Sequence, residues 1–162
     1  MIKGLHHNAY RCRDSEETRR FYEEFLGLPL CATLEIEETK TGRPTEALHT
    51  FYALGDGSYL AFFEVPDAPF EFEDRHDYDL HIALEVENDD ELAAWLEKGR
   101  AAGIDCRGIA DHHAIHSIYF RDPNGYVIEL TARQPSHERE MNPKTNRARA
   151  KLDAWQARRH HE

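Results

Sequence analysis

Glu129 sits in the apolar run Tyr126 to Leu130, and a carboxylate in such a run is costly to bury unless something positive meets it. The run follows Ser117 to Arg121 and the turn Asp122-Pro123-Asn124-Gly125. Proline presets φ and Asn-Gly tolerates φ > 0, so the stretch predicts a tight hairpin. On its outgoing strand Val127, Glu129 and Thr131 share one face, Ile128 and Leu130 the other. A strand-end Glu paired with a surface Arg is the plain alternative. Against it stand His7 and His81, which occupy equivalent positions of an internal repeat that sets Ala61 opposite Glu129. Both histidines fall on the strand face away from the helix-packing side chains. If the two modules pair about a pseudo-twofold, both imidazoles and the carboxylate converge. Such donors suit Fe, Mn, Zn, Ni or Co, and two His with one carboxylate is the facial set of non-haem Fe(II) oxygenases.

The repeat is strand–helix–strand–hairpin, once from about Leu5 to Val65 and again from about Leu80 to Thr131. Leu5 to Cys12 is the first strand, with His7, Ala9 and Arg11 on one face and His6, Asn8, Tyr10 and Cys12 on the other. His6 is therefore expected to tolerate substitution. Asp14 caps a helix, with Glu17 completing a capping box, and Phe21, Tyr22, Phe25 and Leu26 form its core side until Gly27 ends it. Leu30 to Glu37 reads as a strand and Thr39 to Thr45 as a loop. His49 to Leu54 and Ser58 to Val65 flank the Gly55-Asp56-Gly57 turn. Pro66 to Tyr78 is a linker. Leu80 to Val86 alternates cleanly, with His81, Ala83 and Glu85 on one face. Asn88-Asp89 caps a helix burying Leu92, Trp95, Leu96 and Ala102, ended by Gly103. Ile104 to Ile109 is a further strand, and Ala110 to His116 a loop. Arg11 and Glu85 occupy equivalent inward positions and are expected to compensate charge near each other or near the metal.

The 162 residues make one domain of ordinary size, and the net charge of −11 speaks against a nucleic-acid groove. No apolar run reaches a membrane span, and no signal-peptide pattern opens the chain. Cys12, Cys31 and Cys106 have no metal-like or disulfide-like spacing and read as free thiols of a cytoplasmic protein. Pro135 to Glu162 is charged, with a helix after Asn142-Pro143 whose stripe Ala148, Leu152 and Trp155 is expected to be covered. His160 and His161 are expected to have no role.

The segments LHHNAYRCRD with FYEEFLGL, LHIALEV, and SIYFRDPNGYVIELTA resemble the vicinal oxygen chelate superfamily, which includes glyoxalase I, bleomycin-resistance proteins, methylmalonyl-CoA epimerase and type I extradiol dioxygenases. The resemblance covers Leu5 to Ala132. It implies an α+β fold of two βαβββ modules, about 5–65 and 80–131, pairing into an open, curved β-barrel within a single domain 1–132. A C-terminal helical extension, 133–162, follows. It also implies His7, His81 and Glu129 as ligands of a divalent metal. Glyoxalase I and the epimerase resemble each other in placing Glu or Gln where Ala61 stands, so alanine implies an open coordination position, as in the extradiol enzymes. The extradiol signature is similar from His112 through Ile118-Tyr119, Asp122-Pro123 and Gly125 to Glu129, departing at Ala110. Two further departures are a missing catalytic histidine near Ser58 or Tyr59 and a single pair of modules where the usual enzymes have an additional N-terminal pair.

The implied chemistry is Fe(II)-dependent ring cleavage of a catecholic, aromatic diol-like substrate by dioxygen, with Mn, Ni, Zn or Co as alternative metals. Tyr119 is positioned to hydrogen-bond a bound phenolate, and His112, or alternatively His116, to shuttle a proton. A solvated loop is the plain reading of that histidine cluster. Tyr59 and Phe63 share Ala61's face and line an apolar substrate pocket, or else belong to the core. A homodimer is expected. A glyoxalase-like isomerase or lyase is the second function class, wanting a fourth ligand. A metal-free binding protein of the bleomycin-resistance kind is the third.

Overall fold

The computed structural model describes residues 1–159; the tail histidines His160 and His161 lie outside them. The chain divides into two compact units. One is Met1–His81 with Arg121–Val127, the other Ile82–Phe120 with the residues from Ile128 onward. Each carries a four-stranded mixed sheet of βαβββ type. No helix among the described residues is long and apolar enough to cross a membrane.

In the first unit the sheet order is β1-β4-β3-β2, from β1 (Tyr10–Arg11), β2 (Leu30–Glu38), β3 (Pro44–Ala53) and β4 (Tyr59–Glu64). The first strand is much shorter than its sequence suggests. His7 makes an isolated parallel bridge to Tyr59, and only Tyr10–Arg11 pairs regularly with Phe62–Phe63. Between them the Asn8 amide takes over the ladder, accepting from Ala61 N at 3.0 Å and donating to Ala61 O at 3.3 Å. A side chain thus does the work of a backbone pair. The strand β3 begins at Pro44, inside the stretch expected to be loop, because β2 pairs with it as far as Glu38↔Pro44.

Asp14 caps α1 (Ser15–Arg19) by accepting from Glu17 N at 2.7 Å. The reciprocal half of the capping box is absent: the Glu17 carboxylate pairs with Arg13. The helix continues as a π-helical turn, Arg20–Phe25, whose Phe21, Tyr22 and Phe25 are buried. Tyr22 lies 4.6 Å from Phe62 and 5.5 Å from Tyr52, ring to ring, so this helix covers the Thr50/Tyr52/Phe62 face of the sheet.

The predicted Asp122–Gly125 hairpin turn is locked to this unit. The buried Asp122 carboxylate accepts from Asn124 N, Tyr126 N, Asn124 Nδ2 and Tyr22 OH. Asn124 Oδ1 takes Arg13 N at 2.8 Å. Burial pushes the Asp122 carboxyl up, against those hydrogen bonds that favour the anion.

In the second unit the order is β5-β8-β7-β6, from β5 (His81–Val86), β6 (Cys106–Asp111), β7 (Ile115–Arg121) and β8 (Val127–Arg133). Asn88 caps α2 (Asp89–Ala101), accepting from Glu91 N at 3.0 Å. Its buried side is Leu92, Leu96 and Gly99. Ala102 ends exposed as the C-cap, and Trp95 is only partly buried, with Lys98 over its ring at 4.2 Å. Gly99 is required where it stands, since a Cβ there would lie 2.4 Å from the buried Phe120 ring. The expected loop 110–116 contracts to His112–Ala114, with His113 in the left-handed region at φ 67°, because β6 and β7 pair up to Asp111↔His116.

Beyond β8, α3 (His137–Met141) and α4 (Ala148–Arg159) bury no side chain. Leu152 and Trp155, expected to be covered, are both more than half exposed.

Candidate metal centre and catalytic face

On the first sheet, His49, Phe51 and Ala53 pair with Phe63, Ala61 and Tyr59, so these six share the face opposite the helix. His7 joins it, its ring 5.3 Å from Phe51 and 5.9 Å from His49. His49 went unnoticed in the sequence. It is buried, its Nδ1 donates to Phe62 O at 2.9 Å, and it stacks on Phe63 at 3.6 Å. Burial pushes its imidazole pKa down, partly offset by the Phe62 carbonyl. The repeat offered the signal, for it aligns His49 with Ser117 and Phe51 with Tyr119. Ala61 is fully buried, 0% exposed, in the midst of this aromatic face. Tyr59 and Phe63 are partly buried upon it.

His7 and His81 both engage Nδ1. His81 Nδ1 lies 2.6 Å from Asp77 O, and since a carbonyl only accepts, that nitrogen carries the hydrogen and Nε2 keeps its lone pair. His7 Nδ1 lies 2.8 Å from His6 Nδ1. The His6 ring therefore does not turn away from His7, as strict alternation requires, because the chain here is not a regular strand.

On the second sheet, one face gathers the predicted residues. Ser117 Oγ donates to Thr131 Oγ1 at 3.3 Å, and Arg133 pairs with Glu85 at 2.6 Å. Strand alternation then assigns Tyr119, Glu129 and His81 to that same face. Glu129 is 5% exposed. His112 Nε2 meets Tyr119 OH at 2.7 Å, while the Arg107 guanidinium lies 4.5 Å above the Tyr119 ring. His116 sits on the opposite face with Ile118 and Phe120, where its ring bridges Asp89 at 3.0 Å and Asp111 at 3.6 Å. The structure thus joins His112 to Tyr119 and sets His116 apart.

The Arg11–Glu85 expectation is replaced by separate partners. Arg11 donates to Val65 O and Ala68 O and lies over Phe70, and Glu85 is taken by Arg133. Among the described residues, no group of three or more His, Cys, Asp or Glu side chains is drawn together closely enough to hold a metal. The donor chemistry of His7, His81 and Glu129 nevertheless fits a divalent ion. It comprises two imidazoles whose second nitrogens are hydrogen-bonded, and a buried carboxylate on the face away from the helix.

Residues 4–130 match the family model of the Glyoxalase/Bleomycin resistance protein/Dioxygenase superfamily. The chain is 30% identical over 132 residues to the Metallothiol transferase FosB of Staphylococcus saprophyticus, covering 80% of this chain and 77% of that protein. It is also 34% identical over 55 residues to the Putative ring-cleaving dioxygenase MhqA of Bacillus subtilis, 34% of this chain but 17% of that much longer protein. In fold it is similar to the fosfomycin resistance protein FosX of Listeria monocytogenes complexed with Mn(II) and 1S,2S-dihydroxypropylphosphonic acid. There the TM-score is 0.62 at 21% identity, covering 85% of this chain and 98% of that one. With the fold and the matched span agreeing, this chain belongs to the Glyoxalase/Bleomycin resistance protein/Dioxygenase superfamily.

Proposed function

We propose that this chain is a divalent-metal-dependent enzyme acting on a small molecule that binds through adjacent oxygens, and that its reaction is extradiol-type cleavage of a catecholic ring by dioxygen. The observation that carries the reading is the 2.7 Å contact of His112 Nε2 with Tyr119 OH, on the sheet face that also bears Glu129. His7, His81 and Glu129 hold the metal. Iron(II) bound there supplies the Lewis acidity that polarises the diol oxygens and the redox centre that ring cleavage needs.

The chain's own residues do the rest. Tyr119 OH donates to a substrate phenolate oxygen, and His112 Nε2 passes a proton through that hydroxyl as charge moves on the substrate. Arg107, 4.5 Å over the ring, helps hold the tyrosine in place by cation–π attraction. Phe51, Tyr59 and Phe63 offer an aromatic wall beside His7, suited to an aromatic ring. Ala61 contributes no ligating atom, which leaves room for both diol oxygens.

The similarity to FosB over four fifths of the chain favours a second reading, thiol transfer or a glyoxalase-like isomerisation at the same metal. Anaerobic loading with Fe(II) or Mn(II), then oxygen uptake and yellow ring-fission absorbance across a catechol panel, tests the first reading. Parallel assays follow thiol loss with fosfomycin and isomerisation of a glutathione–methylglyoxal adduct. Activity in either of these, with no oxygen uptake on any catechol, overturns the ring-cleavage assignment.

A further inference from the structure

Four imidazoles in the first unit have their Nδ1 engaged, but not by the same kind of partner. For His81 and His49 the partner is a backbone carbonyl, of Asp77 and of Phe62. A carbonyl has no hydrogen to give, so those two rings are locked with the proton on Nδ1. For His7 the partner is another imidazole, His6 Nδ1 at 2.8 Å, and a contact between two ring nitrogens has one donor and one acceptor. The hydrogen bond by itself permits either assignment.

The metal role of His7 decides it. With Nδ1 turned to His6, the nitrogen left for a metal is Nε2, and Nε2 carries a lone pair only when the hydrogen sits on Nδ1. His7 is then the donor and His6 the acceptor. His6 is held for this task. Its carbonyl accepts Tyr59 N at 2.9 Å, and its ring lies 5.6 Å from the Tyr59 ring. The adjacent bridge of His7 to Tyr59 fixes the neighbouring backbone as well.

We propose that His6 is a positioning residue, whose Nδ1 accepts the Nδ1 hydrogen of His7 and so fixes the tautomer and ring orientation in which His7 ligates a divalent cation. For His7 it plays the part that the Asp77 carbonyl plays for His81. The inference rests on the metal reading above. Partners of this kind hold a ligand in place and raise its basicity, and their loss typically weakens metal binding about 10–100-fold.

The test is titration of the apo protein with Co(II), followed by visible absorption and by competition with a chelator, so that no turnover is needed. His6→Ala and His6→Phe both remove the acceptor, while phenylalanine keeps a ring against Tyr59. Both should bind Co(II) at least about tenfold more weakly than wild type, with an altered absorption band. His6→Asn places Oδ1 close to where Nδ1 stands and should recover affinity to within about threefold. Thermal melting of the apo variants verifies that the fold is intact.

His7→Ala separates the two levels of the argument. If it keeps wild-type Co(II) affinity, the metal assignment fails and the role of His6 with it. If His7→Ala loses the metal while His6→Ala and His6→Phe bind normally, the positioning role alone is overturned. Equal loss in His6→Phe and His6→Asn also overturns it, because only the acceptor distinguishes those two.

Discussion

At the residue scale, the proposed ring-cleavage chemistry hangs on which histidine of the cluster reaches Tyr119. The sequence offered His112 and His116 alike, since both flank the same strand. Strand parity separates them: His116 points with Ile118 and Phe120 to the helix side, where Asp89 and Asp111 hold it. Tyr119→Phe and His112→Gln should each lower turnover by about 10²-fold or more, with Co(II) affinity unchanged, because neither is a proposed ligand. His116→Gln should instead leave turnover per folded molecule near wild type and lower stability by about 1 kcal/mol through lost hydrogen bonds. Steady-state kinetics beside thermal melts check all three; a His116→Gln enzyme as slow as His112→Gln would reverse the assignment. Replacing His7, His81 or Glu129 by Ala should abolish most metal uptake while the apo fold survives, as metal analysis after loading would reveal. Composition and alternation do not mark His49, because a lone histidine on an alternating strand looks like any core residue; only the repeat, which aligns it with Ser117 two residues before Tyr119, points to its face. Its neighbours become visible only once β3 and β4 are in register.

At the scale of elements, the Asp122–Gly125 turn was legible because turn chemistry is local. What the turn packs against was not, since that depends on contacts far away in sequence. Gly125 has φ 89°, and a Cβ there would fall 2.2 Å from the Glu73 carbonyl oxygen. Gly125→Ala is therefore expected to cost about 3 kcal/mol, combining left-handed strain with a backbone clash. Gly55, in the other hairpin turn, has nothing within 4 Å, and Gly55→Ala should lie within about 0.5 kcal/mol of wild type. Urea melts measure both. Asp122→Asn turns one acceptor oxygen into a donor facing Asn124 Nδ2, for a loss of about 2 kcal/mol. The pH dependence follows from burial, which raises the Asp122 pKa above 3.8. The stability linked to protonation is fully present below the unfolded pKa and is lost as pH rises through the higher folded value. The deficit of the Asn variant should thus be larger near about pH 4 than near about pH 7, and a deficit that grows towards neutral pH would contradict the raised value. The short first strand escaped prediction for a related reason: no pattern in LHHNAYRCR reveals that Asn8 will clamp Ala61 in place of a backbone ladder.

At the scale of the molecule, the repeat made two βαβββ sheets legible, since each module repeats the same succession of apolar periods and turns. It could not say which chemistry the family member performs, because that turns on single positions such as Ala61. The repeat sets Ala61 where Glu129 stands in the second module, and the structure buries it completely among Phe51, Tyr59 and Phe63. An Ala61→Glu variant would place a carboxylate on an apolar aromatic face, so without metal it should lose several kcal/mol, about 3 or more, from an unpaired buried charge. Divalent metal should restore much of that loss, since a ligand that binds only the folded state stabilises it in proportion to its affinity. In the proposed ring-cleavage reading, a carboxylate bound there would take a position that catecholate or dioxygen needs. Oxygen uptake should therefore collapse while metal stays bound, whereas isomerisation of a glutathione–methylglyoxal adduct, needing only polarised oxygens and a base, should persist or rise. Melting curves with and without Mn(II), read beside both activities, separate the outcomes. Metal-dependent restabilisation places position 61 beside the metal. If Ala61→Glu is destabilised equally with and without Mn(II), Ala61 is a core residue and the open coordination site must be sought elsewhere.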